Sequence, residues 1–256
     1  MKIFAGTSGY SYPAWKGPFY PPKLPQRAML AYYAERFATV EINNTFYRMP
    51  KADMLERWAG ETPPGFLFVL KAPAQVTHRT RLKEGAGDAT RHLWKMSEAL
   101  GERRGPILFQ LPPNLRADLP RLAGFLAQLP DGMKAAFEFR HPSWEAPEID
   151  AALADAGCAR CVADTDPDPE KDGNEPHDLP PLSPTTDWGY VRLRKTSYSG
   201  DELYAWSRHI LAQPWQRAFV FFKHEDEGAA PRLATAFSAC CDETAHPMKP
   251  DSQGIP

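Results

Sequence analysis

Short runs rich in β-branched and aromatic residues recur along the chain at Lys2–Gly6, Thr39–Asn43, Phe66–Lys71, Pro106–Gln110, Lys134–Phe139, Cys158–Ala163, Trp188–Leu193 and Ala218–Lys223. Runs of this kind read as strands. Their starts are 37, 27, 40, 28, 24, 30 and 30 residues apart, which leaves room for a helix and two loops between each pair. The stretches Gln26–Phe37, Lys51–Glu61, Asp88–Gly101, Ala117–Leu129, Trp144–Gly157, Gly200–Gln213 and Glu227–Cys241 place apolar residues at intervals of three and four, as in Leu119, Leu122, Phe125, Leu126 and Leu129. That period is helical. The exception is Asp164–Asp187, where Pro167, Pro169, Pro176, Pro180, Pro181 and Pro184 oppose a helix, so an irregular proline-rich loop is expected between strands 6 and 7.

Eight βα units in 256 residues predict an α/β chain folded as a single closed (β/α)8 barrel of the TIM type, over residues 1–241. A doubly wound open sheet competes less well, because no Gly-x-Gly-x-x-Gly follows the first strand. Residues 242–256 carry Pro247, Pro250, Gly254 and Pro256 with little apolar pattern and are expected to form a disordered tail.

Composition narrows the function classes. At 43% hydrophobic and 24% charged the chain can bury a large core. Apolar runs such as Phe66–Leu70 and Ala218–Phe222 are five residues, far below the roughly 20 of a membrane span, so no membrane partner is expected. The first residues lack the pattern of a secretory signal, which makes the cytoplasm the expected location. Thirty basic and thirty-two acidic residues give a net charge of −2, so any attraction for nucleic acid must be local.

Several motifs together resemble a known family. They are Gly6-Thr7-Ser8-Gly9-Tyr10-Ser11-Tyr12, Trp15-Lys16-Gly17, Phe19-Tyr20-Pro21, Val40 to Arg48 (VEINNTFYR), Phe68 to Ala72, Leu108 to Pro113, Glu138 to Trp144 (EFRHPSW) and Tyr190 to Leu193. Over roughly residues 3 to 240 the chain is similar to the YecE-like family, catalogued as domain of unknown function 72. The resemblance implies a TIM-type barrel and lends no activity. It also marks two departures, Arg194-Lys195 where the family usually has His-Gly, and Lys223-His224-Glu225-Asp226 where it usually has Asn-Asn-Asp after a Phe.

Candidate chemistry follows from strand period, since alternate side chains of a barrel strand face its interior. With Val, Ile and Phe assigned to the helix side, Glu41 and Asn43 face inward in strand 2, Glu138 and Arg140 in strand 5, and Arg192 and Arg194 in strand 7. Lys71, Gln110, Asp164 and Lys223 join them at strand ends. Five cations against three carboxylates leave a local +2 that a small anionic ligand would balance. The competing reading is an internal ion-pair network, because unpaired buried charges are costly. Tyr10, Tyr12, Trp15, Tyr20, Phe46, Tyr47, Trp144 and Tyr198 gather in the same loops and offer flat faces to a sugar or base. Gly6, Thr7, Ser8 and Gly9 could offer backbone donors to phosphate.

Two functions therefore stand side by side. One is an enzyme acting on a phosphate-bearing or otherwise anionic small molecule, with Glu41 or Glu138 as general acid or base and Tyr10, Trp15, Asn43, Tyr47, Lys71, Gln110, Arg140, Trp144, Arg192 and Arg194 binding substrate. The other is a non-enzymatic binder of single-stranded nucleic acid or nucleotide using the same cations and aromatics. A scaffold with an internally filled mouth is a third class. No metal or cofactor is assigned, because His78 and His224 stand in no metal-binding spacing. Cys158 and Cys161 lie within one strand, where residues three apart face opposite sides, so with Cys240 and Cys241 they read as buried thiols.

Overall fold

A computed structural model describes residues 1–166, 178–223 and 227–245. The eight strands are β1 (Lys2–Ser8), β2 (Thr39–Ile42), β3 (Leu67–Lys71), β4 (Arg104–Gln110), β5 (Ala135–Glu138), β6 (Ala159–Asp164), β7 (Trp188–Leu193) and β8 (Arg217–Phe222). They pair in parallel and in chain order, and β1 pairs with β8 to close the barrel. Around it run α1 (Met29–Ala34), α2 (Asn44–Tyr47), α3 (Ala52–Gly60), α4 (Ala86–Ser97), α5 (Leu119–Leu126), α6 (Pro147–Asp155), α7 (Gly200–Leu211) and α8 (Ala229–Ala245). The expected barrel is therefore the observed fold.

Local chemistry accounts for several boundaries. Ser199 and Glu202 form a reciprocal capping box that starts α7, each satisfying a backbone donor. Asp118 caps α5 by accepting from the Arg121 N–H, and proline occupies the first turn of α5 and α6, where its missing donor has no consequence. At Gly189 a Cβ would collide with the Trp215 ring, so only glycine lets that indole close the lower end of β7.

Two expectations shift, and a third falls partly outside the described residues. Helix α8 continues to Ala245, so residues 242–245 extend the last helix, while 246–256 lie outside the described residues. No helix or strand falls between Asp164 and Trp188 among the described residues, but 167–177, with Pro167, Pro169 and Pro176, lie outside them. The one-turn helix α2 occupies a stretch read from sequence as loop.

The barrel interior also corrects the assignment of all Val and Phe to the helix side. Phe4, Val69, Leu108, Trp188, Tyr190, Phe219 and Phe221 pack against one another inside the ring, separate from the larger layer between strands and helices. Phe4 and Phe219 stack there at 5.1 Å between centroids. The interior thus holds an apolar cluster from the lower and middle parts of the strands, and Ser8, Glu41, Lys71, Gln110, Glu138 and Arg192 add polar groups toward their C-terminal ends. Period 2 was the correct rule; residue type alone was a poor guide to which face it selects. Cys158 packs in the outer layer and Cys161 inside the ring, on opposite sides of the sheet as their spacing requires, and both are free thiols.

Candidate functional site at the barrel mouth

The polar layer is organised around Arg192, whose side chain is 2% exposed. Its Nη2 donates to Glu41 Oε1 at 2.8 Å and its Nη1 to Glu138 Oε2 at 2.6 Å. Strands β2, β5 and β7 deliver these three groups by the same alternation. Each carboxylate has further donors. Ser8 Oγ reaches Glu41 Oε1 and the Tyr190 hydroxyl reaches Glu41 Oε2, both at 2.7 Å, while Gln110 Nε2 reaches Glu138 Oε1 at 2.7 Å. Burial pushes both carboxyls up, but Arg192 and the donated hydrogen bonds outweigh it and hold them below the ordinary carboxylate range. Burial and the neighbouring Glu41 keep the Tyr190 phenol protonated as a donor.

A second set of charges sits at the rim. Gln110 gives its amide N–H to Glu138 and therefore turns its carbonyl toward Lys71, whose Nζ donates to Gln110 Oε1 at 2.7 Å. The ammonium also lies 4.5 Å from the centre of the Phe46 ring, a cation–π contact. Burial, followed by Arg192, lowers the Lys71 pKa to about 8, even though Glu41 and Glu138 act in the other direction. Among the described residues Arg194 has one ionic contact, a long one of 3.7 Å from Nη1 to Glu138 Oε1, and its buried Nε, like that of Arg192, has no hydrogen-bond partner. Burial and then Arg192 lower its pKa. Arg140 is exposed and close enough to affect both Arg194 and His78. His78 meets the edge of Phe46 at 4.8 Å, on a π-helical turn (Gln75–Arg79) followed by Arg81 and Leu82, both with positive φ. Such strain collects at binding sites.

The structure therefore brings together Glu41, Glu138, Arg192, Gln110, Lys71 and Arg194, with Arg140 at the rim. It separates others from them. Asp164 faces outward, where it accepts from Trp206 Nε1 at 3.0 Å and lies 3.6 Å from Lys195, so it is not a mouth residue. Even alternation from Cys161 places it on that side. Trp15 is fully buried against Tyr12 and Tyr20, and Trp144 is 1% exposed, stacked on Phe139 and bonded to the Leu115 carbonyl. Neither indole offers a face to a ligand. Tyr47 is 83% exposed and points to solvent. Tyr10 and Asn43 line a separate cavity of about 230 Å³ with Tyr12, Gln26, Asn44 and Trp58. The Thr7 and Gly9 amides proposed as phosphate donors are already bonded, to the Tyr33 hydroxyl and the Glu41 carbonyl.

Sequence reasoning missed Tyr190 as an interior donor, although the period that selects Arg192 also selects it. It also missed that Gln110 links the carboxylate layer to Lys71. Among the described residues no group of three or more His, Cys, Asp and Glu side chains is placed to hold a metal, and no helix is long and apolar enough to cross a membrane.

Comparison with known proteins agrees with this architecture. The family model described as "Protein of unknown function DUF72" matches residues 4–254. The UPF0759 protein YecE of Escherichia coli K12 is 32% identical over 171 residues, 64% of this chain and 60% of that protein. UPF0759 protein YunF of Bacillus subtilis is 32% identical over 159 residues, 57% of this chain and 53% of that protein. The match thus spans between half and two thirds of the length of these curated relatives. A DUF72 family protein of Thermotoga maritima superposes with a TM-score of 0.81 at 29% identity, covering 95% of this chain and all of that one. One from Enterococcus faecalis gives 0.73 at 16% identity over 94% of this chain and 95% of that one, a likeness of fold.

Proposed function

The chain belongs to the DUF72 family, and from the mouth of its barrel we propose that it binds a small anion, a phosphate- or carboxylate-bearing molecule, at the C-terminal ends of the strands. The observation that carries this reading is Arg194, a cation only 18% exposed whose one ionic contact among the described residues is long, at 3.7 Å, where Arg192 has two at 2.6 and 2.8 Å; its Nε, like that of Arg192, is buried without a partner there. A guanidinium in that position gains most from a ligand oxygen, since charge-assisted hydrogen bonds are strong and a buried unpaired donor is costly.

The charge balance agrees. Lys71, Arg140, Arg192 and Arg194 carry four positive charges, against two negative on Glu41 and Glu138, a surplus of two among these residues. The C-terminal face is also where barrels of this type carry their sites. Glu41 and Glu138 are engaged by Arg192 through both its Nη atoms, which makes them supports for the cation in preference to proton carriers. Burial of Trp15 and Trp144 removes two of the stacking faces that a nucleic-acid strand would use, which favours the small ligand.

Isothermal titration with inorganic phosphate tests the reading. One saturable site is expected, and affinity should fall as pH rises through about 8, where Lys71 loses its charge. Absence of saturable binding at low ionic strength would remove the proposal.

A further inference from the structure

Resting on that anion site, we infer that Lys71 is an imine-forming lysine whose substrates are anionic aldehydes or ketones, such as 2-oxo acids or phosphorylated carbonyl compounds. Three features of its placement carry the inference. Lys71 ends β3 at the mouth, so its Nζ projects where ligands of this barrel type bind. Its one hydrogen bond among the described residues is to a neutral amide oxygen, Gln110 Oε1, and its other neighbour is the Phe46 ring. Buried charges are ordinarily paired with an opposite charge; here both carboxylates are engaged by Arg192, and neither is within ion-pair distance of Nζ.

These surroundings do what a nucleophilic amine needs. Burial and the nearby Arg192 and Lys223 disfavour the ammonium, and about 8 is the resulting pKa. At pH 7 that raises the neutral fraction on the order of 10²-fold over an unperturbed lysine. A carboxylate or phosphate on the substrate would meet Arg194 and Arg140, leaving the carbonyl carbon to the amine. The neutral nitrogen attacks that carbon, the carbonyl electron pair moves to oxygen, and the carbinolamine then loses water. Both nitrogen protons leave with the oxygen, and the product is a C=N bond to Nζ. Gln110 acts as a positioning residue, because its N–H bond to Glu138 fixes the carbonyl oxygen toward Nζ.

The test is reductive trapping of the full chain with glyoxylate and sodium cyanoborohydride, whose hydride adds to the imine carbon and fixes it as a secondary amine, followed by peptide mapping. Propanal serves as the uncharged control, and phosphate binding is measured on the same preparation. The expected result is one dominant adduct at Lys71, formed at least tenfold faster than at the exposed Lys16 and Lys51, with an apparent pKa near 8, slowed by excess phosphate and at least tenfold slower with propanal. Lys71→Arg should abolish it with an unchanged melting temperature. If phosphate binds but glyoxylate labels Lys71 no faster than the exposed lysines, the imine assignment is wrong and the anion site stands. If Lys71 labels equally with propanal and phosphate gives no protection, the anionic substrate class is wrong together with the anion site.

Discussion

Arg192 and Arg194 are two residues apart on one strand, face the same interior, and live in opposite circumstances. Arg192, at 2% exposure, donates through both Nη atoms to two carboxylates that are themselves held by Ser8, Tyr190 and Gln110. Arg194, one step toward solvent, has a single ionic contact among the described residues, at 3.7 Å; the Nε of each arginine is buried without a hydrogen-bond partner there, so the two differ in what their Nη atoms reach. The inner layer is closed on itself and the rim is open. A count of charges along the sequence treats the two arginines as equals, and the difference lies wholly in what the other strands place opposite them. A buried ion pair is weak evidence for stability; what the inner layer does here is fix geometry, since Glu138 holds Gln110 and Gln110 holds Lys71.

The sharpest way to break this contrast is to remove Arg192. Arg192→Met should destabilise the fold by about 3–5 kcal/mol at pH 7, because two buried carboxylates lose their cation. Urea unfolding measures it, and the pH dependence identifies the cause. In the native chain both carboxyls are held below their ordinary range, so the stability they contribute is complete above the unfolded value of about 4.3 and is lost as pH falls through their folded values. In the variant burial dominates and raises them, so lowering the pH toward 5 should recover part of the loss. A uniform loss at all pH values would show that packing, not charge, is responsible.

A smaller stability effect is expected at the rim. Arg194→Ala should cost under about 1 kcal/mol of unfolding free energy, since its one contact is long, while phosphate affinity should drop tenfold or more. A loss of several kcal/mol with unchanged affinity would place Arg194 in the inner layer. The smallest effect belongs to Tyr47→Ala, within about 0.5 kcal/mol in stability and without effect on phosphate titration, because that ring points to solvent.

The barrel was legible in the sequence because strand spacing is a local property: the expected strands at Thr39–Asn43 and Trp188–Leu193 match β2 and β7 within one residue. The inner carboxylates and arginine were legible for the same reason, as polar residues interrupting apolar alternation. What escaped was long-range. Nothing near Trp144 in the chain announces the Leu115 carbonyl that receives its N–H, and nothing near Asp164 announces the Trp206 indole that it accepts from on the helix side, although alternation from Cys161 gives the side itself. Phe4, Val69 and Phe219 carry no sign in their residue type that they line the interior; only the period counted from polar neighbours such as Lys71 gives it. Such placements depend on which elements become neighbours once the ring closes.

The contrast between the two arginines is tested most directly by following their Nε–H resonances in nitrogen-15 labelled protein during titration with phosphate. The expected result is a saturable shift of the Arg194 Nε–H, with the Arg192 resonance changing little because its Nη atoms stay on Glu41 and Glu138. A phosphate-dependent shift of Arg192 with Arg194 unmoved, or no shift of either at phosphate concentrations that saturate the control titration, would contradict the division of the mouth into a closed inner layer and an open rim.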